Sequence, residues 1–195
     1  MNARMNGLVS PFVTQLVPAL RFLPLAVFLW MMVGATRAFS PDAGRRSLTG
    51  LGIAVSMWCA LGAASVASAA PPWMQFIGVG VLLLSLALYQ WAASSIRGRL
   101  FSFAGNDDLP QFVHRSGPFA RMRNPFYLSY LLAEIATVVM RPSAYGGVVV
   151  VLAIGYFNWL ARFEESKFAR SPVAAEYARY KAETGRLIPR IKRPQ

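Results

Sequence analysis

The sequence predicts an all-α protein, a polytopic membrane helix bundle of about five transmembrane helices followed by a cytoplasmic amphipathic helix. Apolar residues make up 55% of the 195 residues and charged residues only 14%, and the apolar residues are gathered into blocks. Soluble domains contain about 45–50% apolar and about 25% charged residues. The composition excludes a disordered chain, a coiled coil and an ordinary soluble enzyme. A single cysteine, Cys59, excludes a disulfide scaffold. We predict one integral membrane domain over residues 1–195.

Five apolar blocks supply the predicted transmembrane helices, because about 20 apolar residues cross a bilayer. The first block carries Arg21 and Pro24, and the third has Trp73 and Trp91 near its ends, where interface anchors stand. The fourth block would form a helix of only about 24 Å, so we expect it to be tucked against other helices or to end early. An alternative for residues 22–33 is the apolar core of a signal peptide. The predicted helices cover residues 17–36, 48–69, 73–96, 125–140 and 143–161.

Lys and Arg lie mainly on one side of these helices. The connection 37–47 has three arginines, the connection 97–123 has five, and the chain from residue 162 onward has nine Lys or Arg. The opposite side has only Arg4 and Arg141. Because cytoplasmic loops are the basic ones, we predict a multi-pass protein with its N-terminus outside and its C-terminus in the cytoplasm. In a bacterium this would be the inner or plasma membrane. The same bias accounts for the net charge of +12, and nucleic acid is not expected as a partner.

The composition changes at Arg97. Residues 1–96 contain three plain hydrophobic spans, whereas polar and aromatic residues concentrate in 97–195. The connection 97–124 has no clear apolar period and is unusually long for a compact protein; such loops are usually functional or disordered. Because this one ends in a dense motif, we predict that the functional region is 97–195.

The first motif is the segment 116–128, SGPFARMRNPFYL. Gly117 and Pro118 predict a turn. Asn124 is a favourable N-cap, and Pro125 suits the first turn of a helix. The segment therefore predicts a helix that begins at the cytoplasmic face with free backbone N–H groups. A basic turn before a helix is the simpler interpretation.

Two further motifs follow the fifth span. The segment 162–165, RFEE, stands at its predicted cytoplasmic end. Because adjacent helix residues point about 100° apart, we expect one glutamate to face a cleft and the other to be solvated. Tyr177 and Tyr180 share a helix face, and Gly185 and Pro189 end that helix. The simpler interpretations are a charged helix end and a helix that lies on the membrane surface.

The order and spacing of the three motifs resemble the isoprenylcysteine carboxyl methyltransferase family and the related phospholipid methyltransferases. That family carries a pattern close to S-G-P-Y-x-x-x-R-[HN]-P-x-Y-x-G, then a glutamate pair, a Y-x-x-Y helix and a terminal proline. The resemblance covers residues 111–190. Asn124 replaces the commoner His, Ser129 stands where Gly is usual, and one extra residue separates the glutamates from Tyr177.

The resemblance implies methyl transfer from S-adenosyl-L-methionine to a lipophilic small molecule or lipidated acceptor from the bilayer, with 97–195 as the catalytic methyltransferase region. The catalytic residues carried over are Arg162, which would orient the substrate, and Glu165. Either Glu164 or Glu165 would bind the cofactor, and the choice stays open. The residues carried over as cofactor contacts are Gln111, Phe112, Val113, His114, Phe119, Asn124, Pro125, Phe126, Tyr127 and Glu164.

Two acceptor classes make opposite demands. A carboxylate is ionised at pH 7 and needs a cation, whereas an amine needs a base and negative surroundings. Arginines around the motifs favour the carboxylate of an isoprenylcysteine-like acceptor. A phospholipid amine is the alternative, and a small non-enzymatic transporter or assembly protein is the competing class. No metal site is expected, because His114 is the only histidine.

Two features inside the spans predict helix packing. Glu134 follows Tyr127 and Tyr130 at helical spacing, and ionisable residues within a membrane usually face the bundle interior. We expect Glu134 to pair with Arg21, with independent contacts as the alternative. Small residues at 78–80 predict close approach of another helix.

Overall fold

The computed structural model describes residues 20, 22–38, 55, 70–96 and 109–190, with the backbone only for 35–38. Within these ranges the chain is all-helical and contains no strand, which confirms the predicted all-α class, while the five predicted transmembrane helices stay a prediction. A short 3-10 helix precedes the third α-helix. The elements are α1 (Leu23–Ala38), α2 (Pro72–Ser95), the 3-10 helix (Gly117–Ala120), α3 (Pro125–Met140), α4 (Ala144–Ala169) and α5 (Ala174–Glu183).

Two of these helices, α2 and α4, are long and apolar enough to cross a membrane, and α1 and α3 are shorter apolar helices. The observed bounds of α3 are those predicted, and α2 begins one residue early and ends one residue early. The predicted span 48–69, apart from Val55, and residues 97–108 of the long connection lie outside the described residues.

The longest helix, α4, continues eight residues beyond its predicted end. Its N-terminus is capped by Ser143, whose hydroxyl accepts a hydrogen bond from the Gly146 N–H at 3.0 Å. The prediction ended where the apolar block ends, at Ala161. The charged continuation stays helical because its side chains bind other elements, as the site below shows.

Close packing of α2 against α3 depends on small and polar residues. A Cβ at Gly78 would collide with the Met140 side chain, which confirms the packing predicted there, whereas Gly80 has open space around it. Ser85 donates its hydroxyl to the Ser129 carbonyl at 2.6 Å. Gln75 donates to the Met140 carbonyl at 2.7 Å and so satisfies the C-terminal end of α3.

Glu134 is buried in the bundle interior, as predicted, with 1% of its surface exposed. Its proposed partner Arg21 lies outside the described residues. An aromatic core surrounds this part of α3: Tyr130 lies 6.1 Å from Tyr89 and 5.8 Å from Phe157, measured between ring centroids.

Large apolar side chains cover the outward faces of α2 and α4. Trp73 and Trp91, the predicted anchors near the ends of the third span, are 62% and 50% exposed. The other exposed large apolar side chains of these helices are Phe76, Ile77, Leu83, Leu84, Tyr145, Val148, Val151, Leu152, Ile154 and Trp159.

Candidate functional site

The turn that opens the first motif packs on the C-terminal end of α2. Gly117 has φ +59°, a left-handed conformation that favours glycine. A Cβ at this position would also collide with the Ser95 side chain. Ser116 donates its hydroxyl to the Ser95 carbonyl at 3.3 Å. Both features of the turn therefore need a residue without a side chain at Gly117.

Aromatic residues after this turn belong to the core rather than to an open cleft. Phe119 is 4% exposed and Phe126 is 7% exposed. Their ring centroids lie 6.2 Å apart, and the His114 ring packs edge-on against Phe119 at 4.9 Å. The His114 Nε2 atom lies 2.8 Å from the Ser116 hydroxyl. These three predicted cofactor contacts are thus held together by packing.

The first three residues that were predicted to contact the cofactor, 111–113, are more exposed than Phe119 and Phe126. Gln111 is exposed, and its side-chain amide donates to the Leu109 carbonyl at 3.1 Å. Phe112 and Val113 are half-buried. The structure does not bring Gln111 to the other motifs.

The C-terminal tail pairs with the first motif through backbone hydrogen bonds. Met122 and Gly185 form a parallel bridge. Arg123 donates its N–H to the Gly185 carbonyl at 2.8 Å, and Asn124 donates its N–H to the Arg186 carbonyl at 3.1 Å. The first and third motifs therefore meet directly.

Asn124 stands at the N-cap position of α3, immediately before Pro125, but its side chain makes no capping hydrogen bond. The amide Nδ2 instead donates to the Arg186 carbonyl at 3.1 Å. The predicted side-chain cap is therefore wrong. The tail carbonyl lies within reach of both nitrogens of Asn124, and Pro125 already removes one of the unpaired donors of the first turn.

Glu165 is buried, and its carboxylate joins α4 to the first motif and to the tail. Oε1 accepts from Arg123 Nε and from Arg186 Nε, both at 3.0 Å, and Oε2 accepts from Arg186 Nη2 at 3.2 Å. The exposed Lys181 lies 3.4 Å from Oε2. The hydrogen bond with Glu165 raises the pKa of the Arg186 guanidinium. Both oxygens of Glu165 are thus occupied by protein cations.

Glu164 faces a different neighbour. Its Oε1 atom accepts a hydrogen bond from the Tyr127 hydroxyl at 2.8 Å. The Tyr127 ring stacks on Phe157 of α4 at 5.3 Å. Oε2 of Glu164 makes no hydrogen bond within the described part of the chain. Glu164 is half-buried and Glu165 is buried. Each glutamate has a protein partner, because α4 lies between α3 on one side and the tail on the other.

Arg162 is exposed and forms no ion pair with the described residues. Two residues along a helix correspond to a rotation of about 200°. Arg162 and Glu164 therefore leave α4 on opposite sides, and the structure does not bring Arg162 to the Tyr127–Glu164 pair.

The two tyrosines of the third motif share a buried face of α5, as predicted. Tyr177 stacks on Phe168 of α4 at 4.1 Å. Tyr180 donates its hydroxyl to the Phe119 carbonyl at 2.7 Å and to the Met122 carbonyl at 3.3 Å. Burial raises the pKa of both tyrosines above its usual value. Because this face packs on the protein, α5 does not present it to a membrane surface.

Arg115 connects the loop before the 3-10 helix to the outer side of α5. It lies 3.7 Å from Glu176 and 3.3 Å from Glu183. Its guanidinium also stands 5.3 Å from the centroid of the Tyr180 ring. All three charged side chains are substantially exposed, so these pairs contribute little stability.

Asn158 is a site residue that the sequence did not predict. It lies on the same face of α4 as Glu165, about two turns earlier. Its Oδ1 atom accepts from Arg186 Nη1 at 3.0 Å. The available signal was an isolated amide within the otherwise apolar block 143–161.

Comparison with models of known protein families and with curated proteins finds no match for this chain. In the part of the chain that the structure describes, no three His, Cys, Asp or Glu side chains lie close enough to hold a metal ion. The site is thus a cluster of three motifs in which the two adjacent carboxylates, Glu164 and Glu165, bind different partners.

Proposed function

We propose that this protein is an integral membrane methyltransferase that uses S-adenosyl-L-methionine and resembles the isoprenylcysteine carboxyl and phospholipid methyltransferases. One observation carries the proposal: three motifs that are distant in the sequence form one cluster. Tyr127 of the first motif binds Glu164 of the second, and Glu165 binds Arg123 and Arg186 of the first and third. The convergence of motifs that are distant in the sequence supports a shared site.

The chemistry needs few side-chain groups. Methyl transfer from a sulfonium is an in-line displacement, and the donor already carries the activated methyl group. The protein must align the acceptor with that methyl and exclude water. In well-oriented systems alignment supplies up to about 7–11 kcal/mol of the barrier. A site without a nucleophilic triad or a metal is therefore sufficient.

The exposed apolar faces of α2 and α4 support a membrane location. The 26 residues of α4 correspond to about 39 Å, which exceeds the roughly 30 Å hydrocarbon core. The charged part after Ala161 would then project beyond the core on the basic, cytoplasmic side. A polar methyl donor from the cytosol and a lipophilic acceptor from the bilayer would meet at this level.

Glu164 is the better candidate for contact with the methyl donor. Its Oε2 atom makes no hydrogen bond to the residues that the structure describes, whereas both oxygens of Glu165 are bound to arginines. A carboxylate can accept hydrogen bonds from ribose hydroxyls or counter the sulfonium charge. Glu165 then acts by positioning Arg123 and Arg186.

The acceptor we favour is the carboxylate of a lipophilic, isoprenylcysteine-like molecule. The sequence Thr184-Gly185-Arg186-Leu187 resembles the carboxyl-methylating branch of the family, and exposed Arg162 has a cationic group without an ion pair within the described ranges. Because Arg162 lies on the opposite side of α4 from Glu164, it would hold the acceptor from outside the helix pair.

A phospholipid amine is the second candidate, and one observation favours it. Arg115, Arg123 and Arg186 are all paired with carboxylates. These arginines are therefore bound to protein carboxylates, with Arg123 and Arg186 sharing Glu165, while Oε2 of Glu164 makes no hydrogen bond to the described residues.

The deciding experiment incubates detergent-purified protein with labelled S-adenosylmethionine and either a farnesylated cysteine analogue or phosphatidylethanolamine. Base-labile label on the first supports a methyl ester, and base-stable label on the second alone supports the amine. Glu164→Gln should lower labelling strongly, whereas Glu176→Gln, on the outer side of α5, should not. Absence of saturable S-adenosylmethionine binding to the wild-type protein would overturn the proposal and favour a non-enzymatic membrane protein.

A further inference from the structure

We propose that Asn158 is a positioning residue for the methyl-donor site: it orients Arg186, whose backbone holds Asn124 at the start of α3. This inference rests on the proposed function for the identity of the ligand. Its structural part stands on contacts among α4, the tail and the first motif.

Two side chains of α4 bind the Arg186 guanidinium. Seven residues separate Asn158 from Glu165, which brings them to within about 20° of each other around the helix. Nη1 of Arg186 donates to Asn158 at 3.0 Å, while Nε and Nη2 donate to Glu165 at 3.0 and 3.2 Å. All three guanidinium nitrogens therefore have acceptors on one face of α4.

Asn158 adds a fixed direction to the ion pair between Arg186 and Glu165. Glu165 supplies the negative charge opposite Arg186 and shares it with Arg123. A planar guanidinium held by two side chains at three nitrogens is also fixed in direction. An amide among the apolar residues of α4 is costly unless it is hydrogen-bonded, and the Arg186 contact satisfies its oxygen.

The orientation of Arg186 affects the start of α3 through the Arg186 backbone carbonyl. The Arg186 carbonyl accepts from both the N–H and the Nδ2 of Asn124, each at 3.1 Å. Asn124 immediately precedes α3, and Tyr127 lies one turn further along. The position of Tyr127 sets its 2.8 Å contact with Glu164. Loosening Arg186 should therefore displace the Tyr127–Glu164 pair without touching it.

The test compares Asn158→Leu, which removes the acceptor at similar volume, with Asn158→Asp, which keeps an acceptor oxygen. Calorimetry measures the affinity for S-adenosylhomocysteine, which binds without turnover. Loss of a hydrogen bond to a charged group predicts about tenfold weaker binding for Asn158→Leu, and Asn158→Asp should stay within about threefold of wild type. Arg186→Lys retains the charge opposite Glu165 but cannot reproduce the fork, so it should weaken binding like Asn158→Leu.

A control separates positioning from general stability. Ser143→Ala removes the cap at the other end of α4 and should lower the melting temperature without changing affinity. Hydrogen exchange supplies an independent readout: the segments 121–127 and 184–190 should exchange faster in Asn158→Leu than in Ser143→Ala.

The outcomes are distinct. Unchanged exchange in these segments, or affinity loss that Ser143→Ala reproduces, would overturn the role of Asn158. Wild-type protein that binds no S-adenosylhomocysteine would overturn the proposed function and the ligand assigned here, while the exchange comparison would still decide whether Asn158 holds the tail in place.

Discussion

The adjacent glutamates of α4 bind different parts of the protein. Glu164 turns toward α3 and accepts from Tyr127, whereas Glu165 turns toward the tail and accepts from Arg123 and Arg186. The side chains of Glu165 and Arg123 are only 6% and 7% exposed. Charges this well buried depend on each other, because removal of one leaves the other without compensation.

At the residue scale we predict that Glu165→Gln is far more destabilising than Glu164→Gln. Removal of one partner of a buried ion pair costs about 3–5 kcal/mol, and Arg123 and Arg186 both lose theirs. Glutamine at position 164 can still accept from Tyr127, so its cost should be below about 1 kcal/mol. Thermal unfolding of the detergent-solubilised variants measures the difference. Equal stability of the two variants would contradict the separate roles.

At the element scale, the short 3-10 helix matters because of where its first residue sits. Gly117 brings the loop against the end of α2, and the same loop then delivers Phe119 to the core and Met122 to the tail. The loop therefore positions the start of α3 from one side, while the tail holds it from the other. Both supports are needed because the side chain at the N-cap position does not cap the helix.

We predict that Gly117→Ala lowers stability by about 2 kcal/mol, since a left-handed conformation costs a non-glycine residue about 1–2 kcal/mol and the new Cβ also meets Ser95. Adding Ser95→Gly should recover the steric part only. Gly80→Ala, where no atom lies within 4 Å, is the matched control and should be neutral or slightly stabilising. Chemical unfolding in detergent compares the four proteins; a neutral Gly117→Ala would refute the described turn.

At the scale of the whole molecule, apolar and charged residues lie in different places. The outer faces of α2 and α4 are apolar, and the charged cluster lies at one end of α4. Within the described helices, the ionic residues gather where α3, α4 and the tail meet. The function we propose needs this polarity, because one reactant would come from a bilayer and the other from water.

We predict that α4 crosses the membrane with its C-terminal end in the cytoplasm. With Cys59 replaced by Ala, a cysteine introduced at Ala144 should react with a membrane-impermeant thiol reagent added to intact cells. A cysteine at Ala175, an exposed position on α5, should react only after permeabilisation. Labelling of both positions from the same side would contradict the crossing.

The sequence by itself determined the helical class, the bounds of α3, the shared face of Tyr177 and Tyr180, and the segments that form the site. These features depend on local properties: apolar length, helical spacing, and the conformational limits of proline and glycine. Only the tertiary structure decided the partners of Glu164 and Glu165, the turn of Asn124 toward the tail, the extension of α4 and the contact of Asn158 with Arg186. Each of these depends on two residues that are distant in the chain, and their hydrogen bonds exist only after α3, α4 and the tail have packed.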